Sequence, residues 1–200
     1  MELDHVLIAV TDLEAAARAF ESRHGLASVD GGRHHDFGTA NRIIPLGSTY
    51  LELVAVVDPA AAAASSFGWW VARGASDEGR LIGWAVRTSS LDDVSARLEL
   101  PIRSGSRVTP SGAELRWRSA GIDEAIAEPC LPFFIEWGEG VPYPGAVEAP
   151  RATIARLVLQ GSADRVAGWL GERTLPIRVI DGPAEVAAVV LSAASGEIIL

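Results

Sequence analysis

The segment Arg33–Val56, RHHDFGTANRIIPLGSTYLELVAV, decides how the rest of the chain is interpreted. It contains two adjacent histidines, a Gly-Thr-Ala-Asn turn and a predicted strand with a glutamate at its centre. Side chains alternate between the faces of a strand, so Glu52 shares one face with Tyr50 and Val54. A carboxylate is costly to bury there unless it is paired, protonated or bound to a metal. The simpler alternative is that this face of the sheet meets water.

The composition is that of a globular protein with a real hydrophobic core. The 200 residues are 48% hydrophobic and 22% charged, enough for one large domain or two small ones. The net charge of −9 argues against nucleic acid or an anionic membrane as a partner. All 17 basic residues are arginine, which excludes Schiff-base chemistry and a phosphate-loop lysine. With the single cysteine Cys130 and no recognisable signal peptide, we expect a cytoplasmic protein.

Hydrophobic periodicity predicts the element order β-α-β-β-β three times along the chain. The first unit covers residues 1–57 and the second covers residues 81–137, with a helix and a linker over 58–80. A third unit covers 151–200, after a segment rich in proline and glycine. The helix SLDDVSARL of the second unit resembles SADRVAGWL of the third, and a strand that begins LPIR follows each helix. The predicted fold class is therefore α+β.

The repeat predicts that the first two units pair over residues 1–140 into an open half-barrel with a cavity. The first and last strands would point side chains into it, which places His5, Glu52 and Glu136 together. Glu136 lies between Ile and Trp much as Glu52 lies between two leucines. One histidine and two carboxylates suit a divalent ion of the Zn, Ni, Mn, Fe or Co group. The third unit is expected to be structural or to form a homodimer.

Four motifs resemble the glyoxalase-like branch of the vicinal oxygen chelate superfamily. They are Leu3-Asp4-His5-Val6, Val10-Thr11-Asp12-Leu13, Gly38-Thr39-Ala40-Asn41 and Tyr50-Leu51-Glu52-Leu53. The resemblance is specific over the first unit and mainly topological beyond it. It implies a metal held by the residues that match the superfamily ligands, which are His5, Glu52 and Glu136. It also implies bidentate binding of substrate oxygens to that metal. The chain departs from the pattern at Gly83, where the superfamily has a further ligand.

Further residues are candidates for catalysis or substrate binding. The resemblance favours His34 as a general base or an additional ligand, and Glu136 as a second catalytic group, against the alternatives of a surface loop and an exposed strand. Thr39 and Asn41 would donate hydrogen bonds to a substrate, although a simple turn explains them equally well. Arg116 is a candidate for binding an anion, although its alternation with acids is typical of a solvated strand face.

Two functions remain open at this stage. The first is a metal-dependent lyase or isomerase, or a dioxygenase of the same superfamily, that acts on a small oxygenated metabolite. The second is a metal-free protein that sequesters an apolar or aromatic compound in the same cavity, as in resistance proteins. The incomplete ligand set at Gly83 and the aromatic residues Phe134 and Trp137 favour the second function. A third possibility is a scaffold whose cavity is filled by side chains.

Overall fold

The computed structural model describes residues 1–171 and 173–200. The first unit has the predicted element order, with short helices after it: β1 (Glu2–Ala9), α1 (Leu13–His24), β2 (Val29–His34), β3 (Thr39–Pro45), β4 (Tyr50–Val56), α2 (Pro59–Ala63) and α3 (Ser66–Gly74). Helix α1 begins at Asp12, whose carboxylate accepts a hydrogen bond from the Ala15 amide at 2.9 Å. Such a bond satisfies one of the free amides at a helix start.

The second unit also has the predicted order, with one additional helix before its last strand. Its elements are β5 (Arg80–Arg87), α4 (Leu91–Leu98), β6 (Arg103–Val108), β7 (Glu114–Ala120), α5 (Ile122–Ala127) and β8 (Phe133–Trp137). In each unit the first strand pairs in parallel with the last, β1 with β4 and β5 with β8. The two units are therefore copies in pairing as well as in element order.

The two units form a closed barrel, not the open half-barrel that the repeat predicts. The strand order around it is β1-β4-β3-β2-β6-β7-β8-β5. One seam is the antiparallel pair β1 and β5, and the other joins β2 to β6 at Arg33 and Val108. Gly32 permits this second seam, because a Cβ there would lie 2.2 Å from the Val108 carbonyl oxygen and its φ is +141°. The repeat predicts that the two units pair, but it carries no signal for the hydrogen bonds between β2 and β6 that close the barrel.

The barrel interior is filled at one end by α3. Phe67, Trp70 and Val71 of this helix pack in one buried cluster with Leu7 of β1 and other inward residues. The indole of Trp70 occupies the space beside Gly83, where an added Cβ would lie 2.2 Å from the ring. Gly83 is therefore a packing position, and not the place of a missing ligand.

The C-terminal unit copies the others in element order only. It consists of β9 (Ala152–Gln160), α6 (Ala163–Leu170), β10 (Ile177–Ile180), β11 (Glu185–Ala193) and β12 (Gly196–Ile199). Its sheet order is β10-β9-β11-β12, so its first strand is internal and pairs with its second and third strands. In the barrel units the first strand instead pairs with the last. The prediction of a third equivalent unit is thus corrected in its strand pairing.

The C-terminal unit packs on the second unit through α6. Trp169 is 3% exposed, and its indole N–H donates to the Pro132 carbonyl at 2.8 Å. The Arg97 guanidinium of α4 donates to the Trp169 carbonyl at 2.7 Å. One continuous hydrophobic core includes Trp169, α1 and the outward side chains of β1 and β4. No helix in the described part of the chain is long and apolar enough to cross a membrane.

Candidate functional site

A cavity lies inside the barrel, between its two units. Its volume is about 40 Å³. A site needs about 10–15 Å³ to hold one water, so the cavity has room for a small molecule. Aromatic and apolar side chains form most of the wall around a small group of polar ones. The lining residues are His5, His34, Phe37, Asn41, Tyr50, Glu52, Phe67, Arg107, Trp117, Ile122, Phe133, Ile135 and Trp137.

A chain of three buried side chains, Asp4, His5 and Glu52, forms one side of the cavity. The Nδ1 atom of His5 lies 2.7 Å from Asp4 Oδ2, and Nε2 lies 3.4 Å from Glu52 Oε2. The exposed fractions of the three residues are 0%, 3% and 5% in that order. Tyr50 stacks on the imidazole with ring centroids 4.6 Å apart. The ring of His5 is thus fixed on both of its nitrogens and on one face.

A β-bulge brings Asp4 to its neighbour. The pairing of β1 with β5 runs from Leu3 directly to His5, so Asp4 is the extra residue. A bulge of this kind re-aims a side chain out of the strict alternation of a strand. The other carboxylate oxygen of Asp4 accepts a hydrogen bond from Trp137 Nε1 at 3.2 Å. Asp4 therefore holds the imidazole from behind, although alternation would place it on the opposite face.

The short distance between His5 and Glu52 calls for a group that holds the two side chains together. Asp4 is a hydrogen-bond acceptor, so the Nδ1 atom of His5 carries a proton. If the imidazole were neutral, its Nε2 lone pair would then face the Glu52 carboxylate at 3.4 Å. Two acceptors do not approach each other in a buried site without a group between them. A shared proton, or a cation bound between the two atoms, would stabilise this approach.

A second polar chain leads from Glu52 across the cavity wall. The Asn41 side-chain amide donates to Glu52 Oε1 at 2.6 Å, and its oxygen accepts from Arg107 Nη1 at 3.0 Å. These two bonds fix which end of the Asn41 amide faces which partner. Asn41 and Arg107 are 5% and 4% exposed. Glu52 is therefore at the junction of two chains of buried polar groups.

His34 lies on the same side of the cavity and is neutral. Its Nδ1 atom is 2.9 Å from the Thr39 hydroxyl, and its Nε2 atom is 4.0 Å from Glu52 Oε1. Burial lowers the pKa of His34 from 6.5 to about 4, an effect that the Glu52 carboxylate partly opposes and Arg107 reinforces. The edge of Trp117 faces the ring at a centroid distance of 5.8 Å. A neutral imidazole at pH 7 can accept or donate one hydrogen bond at the cavity.

The structure brings five of the residues named from the sequence together. His5, His34, Asn41 and Glu52 line the cavity, and Thr39 reaches it as the partner of His34. Their common location follows from the alternation of β1, β3 and β4 and from the short connections between them.

Glu136 and Arg116 do not join this group. Glu136 accepts a hydrogen bond from Arg118 Nε at 2.8 Å and lies in an outer groove, on the opposite face of β8 from Ile135. Arg116 is paired with Glu114 at 2.6 Å, and its side chain is 74% exposed in the same groove.

The strand register explains the different placement of Glu136. Ala85 pairs with Phe133 as His5 pairs with Tyr50, so two residues further on Ile135 corresponds to Glu52. The equivalent of His5 is then Ala85. The second unit thus contributes apolar side chains where the first contributes an imidazole and a carboxylate. The carboxylate of Glu136 lies one residue further along its strand than the position that corresponds to Glu52, and therefore faces outward.

The family follows from a comparison with known proteins. A family model described as the glyoxalase-like domain matches residues 3–174. The chain belongs to the glyoxalase-like domain family. The resemblance seen in the four sequence motifs is thereby confirmed. No curated protein sequence matched this glyoxalase-like domain protein.

Three solved structures are similar to this glyoxalase-like domain protein. A hypothetical protein from Staphylococcus aureus is 16% identical, with a TM-score of 0.76 over 98% of this chain and 92% of that chain. A methylmalonyl-CoA epimerase from Mycobacterium tuberculosis is 20% identical, with a TM-score of 0.46 over 68% of this chain and 86% of that chain. One from Streptomyces coelicolor is 16% identical, with a TM-score of 0.49 over 70% and 99%. The staphylococcal match extends over the C-terminal sheet as well as the barrel.

The metal implied by the superfamily resemblance has suitable donors in this glyoxalase-like domain. His5, His34 and Glu52 are of the right chemical type, and Asp4 and Thr39 hold the far nitrogens of the two histidines, as is usual for ligating imidazoles. Their present arrangement is a hydrogen-bonded one. Within residues 1–171 and 173–200, no group of three or more His, Cys, Asp or Glu side chains is arranged to hold an ion. The donor chemistry fits a divalent ion, and the side chains would have to reorient to bind it.

Two residues of the site, Asp4 and Arg107, are not predicted from the sequence. Strict alternation along β1 places Asp4 on the face opposite to His5, and only the bulge in β1 brings the two side chains together. Arg107 lies on β6, alternating with Gly105 and flanked by Ser106 and Val108, a pattern with no distinctive signal. It reaches the cavity because β6 joins β2 and closes the barrel. No local sequence pattern predicts this pairing of β2 with β6.

Proposed function

We propose that this protein is an isomerase or lyase that moves a proton within a small oxygenated substrate bound inside the barrel. The observation that carries this proposal is the buried chain of Asp4, His5 and Glu52 at a cavity lined mainly by aromatic and apolar side chains. In this proposal a transferable proton lies between His5 and Glu52. Proton transfer by a positioned side chain contributes roughly 10²–10⁴-fold to an enzymatic rate. The low dielectric around buried side chains strengthens the hydrogen bonds that stabilise developing charge.

Each polar side chain of the cavity has a separate role in the proposed reaction. Glu52 takes the proton from a carbon next to a carbonyl, and the C–H electron pair passes into the carbonyl as an enolate. In an isomerase acting on an α-hydroxy carbonyl substrate, the hydroxyl proton passes to the enolate oxygen, the hydroxyl oxygen becomes the new carbonyl, and the proton on Glu52 returns to the former carbonyl carbon. In a lyase, the enolate forms a double bond to the next carbon as its carbonyl is restored, and the group expelled from that carbon takes the proton from Glu52. His5, held by Asp4, positions Glu52 and exchanges the proton with it. Neutral His34 and the Asn41 amide orient the substrate oxygen.

A divalent ion is compatible with this proposal. His5, His34 and Glu52 would hold it, and it would supply polarisation of the substrate oxygen. Glu136 is not included, because its side chain faces the outer groove. Elemental analysis of the purified protein and of Glu52→Gln tests this part. A stoichiometric ion in the first that is lost from the second would assign it to the cluster.

Deuterium exchange tests the enzyme directly. Small hydroxy ketones, keto acids and hydroxy aldehydes are incubated with the protein in D₂O, and exchange next to the carbonyl is followed by NMR. We expect exchange that falls by about 100-fold in Glu52→Gln and is retained in Glu136→Gln. Equal exchange in the wild type and Glu52→Gln would contradict the proposal.

A metal-free binding protein is the second candidate. The aromatic wall and the apolar side chains of Ala85, Phe133 and Ile135 in the second unit favour it. A ligand that binds the folded state alone raises thermal stability by mass action. Stabilisation by a small aromatic compound, with no exchange detected for any substrate in the panel, would support sequestration over catalysis.

A further inference from the structure

Arg107 is a buried arginine that the proposed proton transfer does not use. Its side chain lines the cavity and is 4% exposed. The Nη1 atom donates to Asn41, which is a neutral partner. The Nε atom is buried without a hydrogen-bond partner anywhere in residues 1–171 and 173–200. None of the ion pairs among those residues includes Arg107.

An arrangement of this kind costs stability unless a ligand completes it. A buried charge is normally paired, and a buried N–H group is normally hydrogen-bonded. Asn41 occupies one end of the guanidinium, so the edge that contains Nε is the one that remains for an incoming group. An anion with two oxygens would satisfy that edge through two parallel hydrogen bonds.

Gly31 shows independently that the chain is built around Arg107 and Asn41. A Cβ at this position of β2 would lie 2.0 Å from Asn41 Oδ1 and 2.7 Å from Arg107 Nη1. Only glycine leaves room for the amide and the guanidinium to meet directly over the β2 backbone. The two side chains therefore have a prepared place in the barrel wall.

We propose that the cavity recognises a small carboxylate, which binds through its two oxygens to the Nε edge of Arg107. This inference rests on the proposed function in taking the cavity as the substrate site, and it names the substrate class as a small oxo or hydroxy acid. The cavity volume of about 40 Å³ suits a small acid. Asn41 bridges Arg107 to Glu52, so an acid bound at Arg107 shares the cavity with the proton-transfer group.

Acetate and its uncharged counterpart acetamide test this recognition. Binding of each to the full-length protein is measured by ligand-observed NMR titration. We expect acetate to bind at least about tenfold more tightly than acetamide. Arg107→Met should raise the dissociation constant of acetate by about 10–100-fold, as expected for the loss of a charge-assisted hydrogen bond. Arg107→Lys keeps the positive charge but lacks the planar guanidinium with its two parallel donors, and its loss of acetate affinity should be intermediate. The exposed Arg116→Gln should bind acetate like the wild type.

Three results would overturn the proposal: no saturable binding of acetate to the wild type, equal affinity for acetate and acetamide, or undiminished binding by Arg107→Met. Circular dichroism establishes whether Arg107→Met folds. If it does not, Arg107→Lys and the acetate-to-acetamide ratio of the wild type decide the matter.

The two proposals fail separately. Acetate binding to a wild type that exchanges no substrate proton would overturn the enzyme and leave the carboxylate site. Exchange that depends on Glu52, without any preference for acetate, would overturn only the carboxylate site.

Discussion

Single residues set the polarity of the barrel interior. Alternation along β1 and β4 predicts which residues share a face with His5 and Glu52, and the motifs of the first unit favour the cavity side for both. His34 is the last residue of β2 and lies close to them. What alternation could not supply is the pair of buried groups that complete the site. Asp4 depends on a bulge, and Arg107 depends on the pairing of β2 with β6. Both are tertiary features without a signal in the neighbouring residues.

His34 should make the stability of the protein fall on acidification. Its pKa is about 4 in the folded protein against an ordinary value of 6.5, so between those values the unfolded chain binds a proton that the folded chain does not. The contribution is present in full above pH 6.5 and is lost as the pH falls through 4. The difference amounts to about 3 kcal/mol. Denaturant unfolding from pH 7 to 4 should show a steeper loss in the wild type than in His34→Gln, and parallel losses would contradict it.

Gly31 offers a way to disturb Asn41 and Arg107 without touching either. In Gly31→Ala the new methyl group displaces the Asn41 oxygen and the Arg107 guanidinium, which are ends of flexible side chains. We expect acetate binding to weaken by about tenfold with a loss of stability of only about 1 kcal/mol, as is common for single substitutions. The matched control is Gly168→Ala, because a Cβ there meets nothing within 4 Å. Equal acetate binding in the two variants would contradict the role given to Gly31.

At the scale of elements, the two barrel units share their strand pairing but differ in the polar side chains that they contribute to the cavity. Both barrel units contain the predicted order β-α-β-β-β, and their first and last strands pair alike. Sequence similarity between the two short glutamate motifs nevertheless aligned Glu136 with Glu52, where the ladders align Ile135. Periodicity reports which residues share a face. It does not report which face is inward once two units with different bulges are compared.

The seam between β2 and β6 should depend on Gly32. In Gly32→Ala the added Cβ meets the backbone carbonyl of Val108, which cannot move without opening the pair. We expect a loss of about 2–3 kcal/mol, because a strained φ and a backbone clash act together. Gly112→Ala is the control, with a φ of +84° and no atom within 4 Å of the added Cβ. Its loss should stay near 1 kcal/mol. If urea unfolding gave equal losses of stability for Gly32→Ala and Gly112→Ala, the pairing of β2 with β6 would not depend on Gly32.

At the scale of the whole molecule, the C-terminal sheet is joined to the barrel by a shared core. The sequence predicted its elements, and similarity of the helix segments suggested a third copy. Its strand order is different, because pairing depends on which edges meet and not on the order of elements. A homodimer through this unit stays a prediction, and light scattering of the purified protein measures it. The strands β10 and β12 are the edges of the sheet, and Ile199 is 68% exposed.

Removal of Trp169 should destabilise the barrel and the C-terminal sheet together. The side chain is buried between α6 and the second unit, so Trp169→Ala leaves a large cavity and an unpaired Pro132 carbonyl. The expected loss is about 3–5 kcal/mol in a single unfolding transition. Trp69→Ala is a matched control, because Trp69 is 46% exposed, and it should lose less than about 1 kcal/mol. Two separate transitions for Trp169→Ala would mean that the sheet folds independently of the barrel.

The claim on which the proposed function depends is that a proton is stored between His5 and Glu52, with Asp4 behind the imidazole. Nitrogen NMR of the protein labelled with ¹⁵N-histidine reads this directly, since only 4 histidines need assignment by substitution. We predict that Nδ1 of His5 is protonated at pH 7, and that the Nε2 signal shifts in Glu52→Gln and stays in place in Glu136→Gln. A neutral His5 with its proton on Nε2, or an Nε2 signal indifferent to Glu52→Gln, would contradict the account.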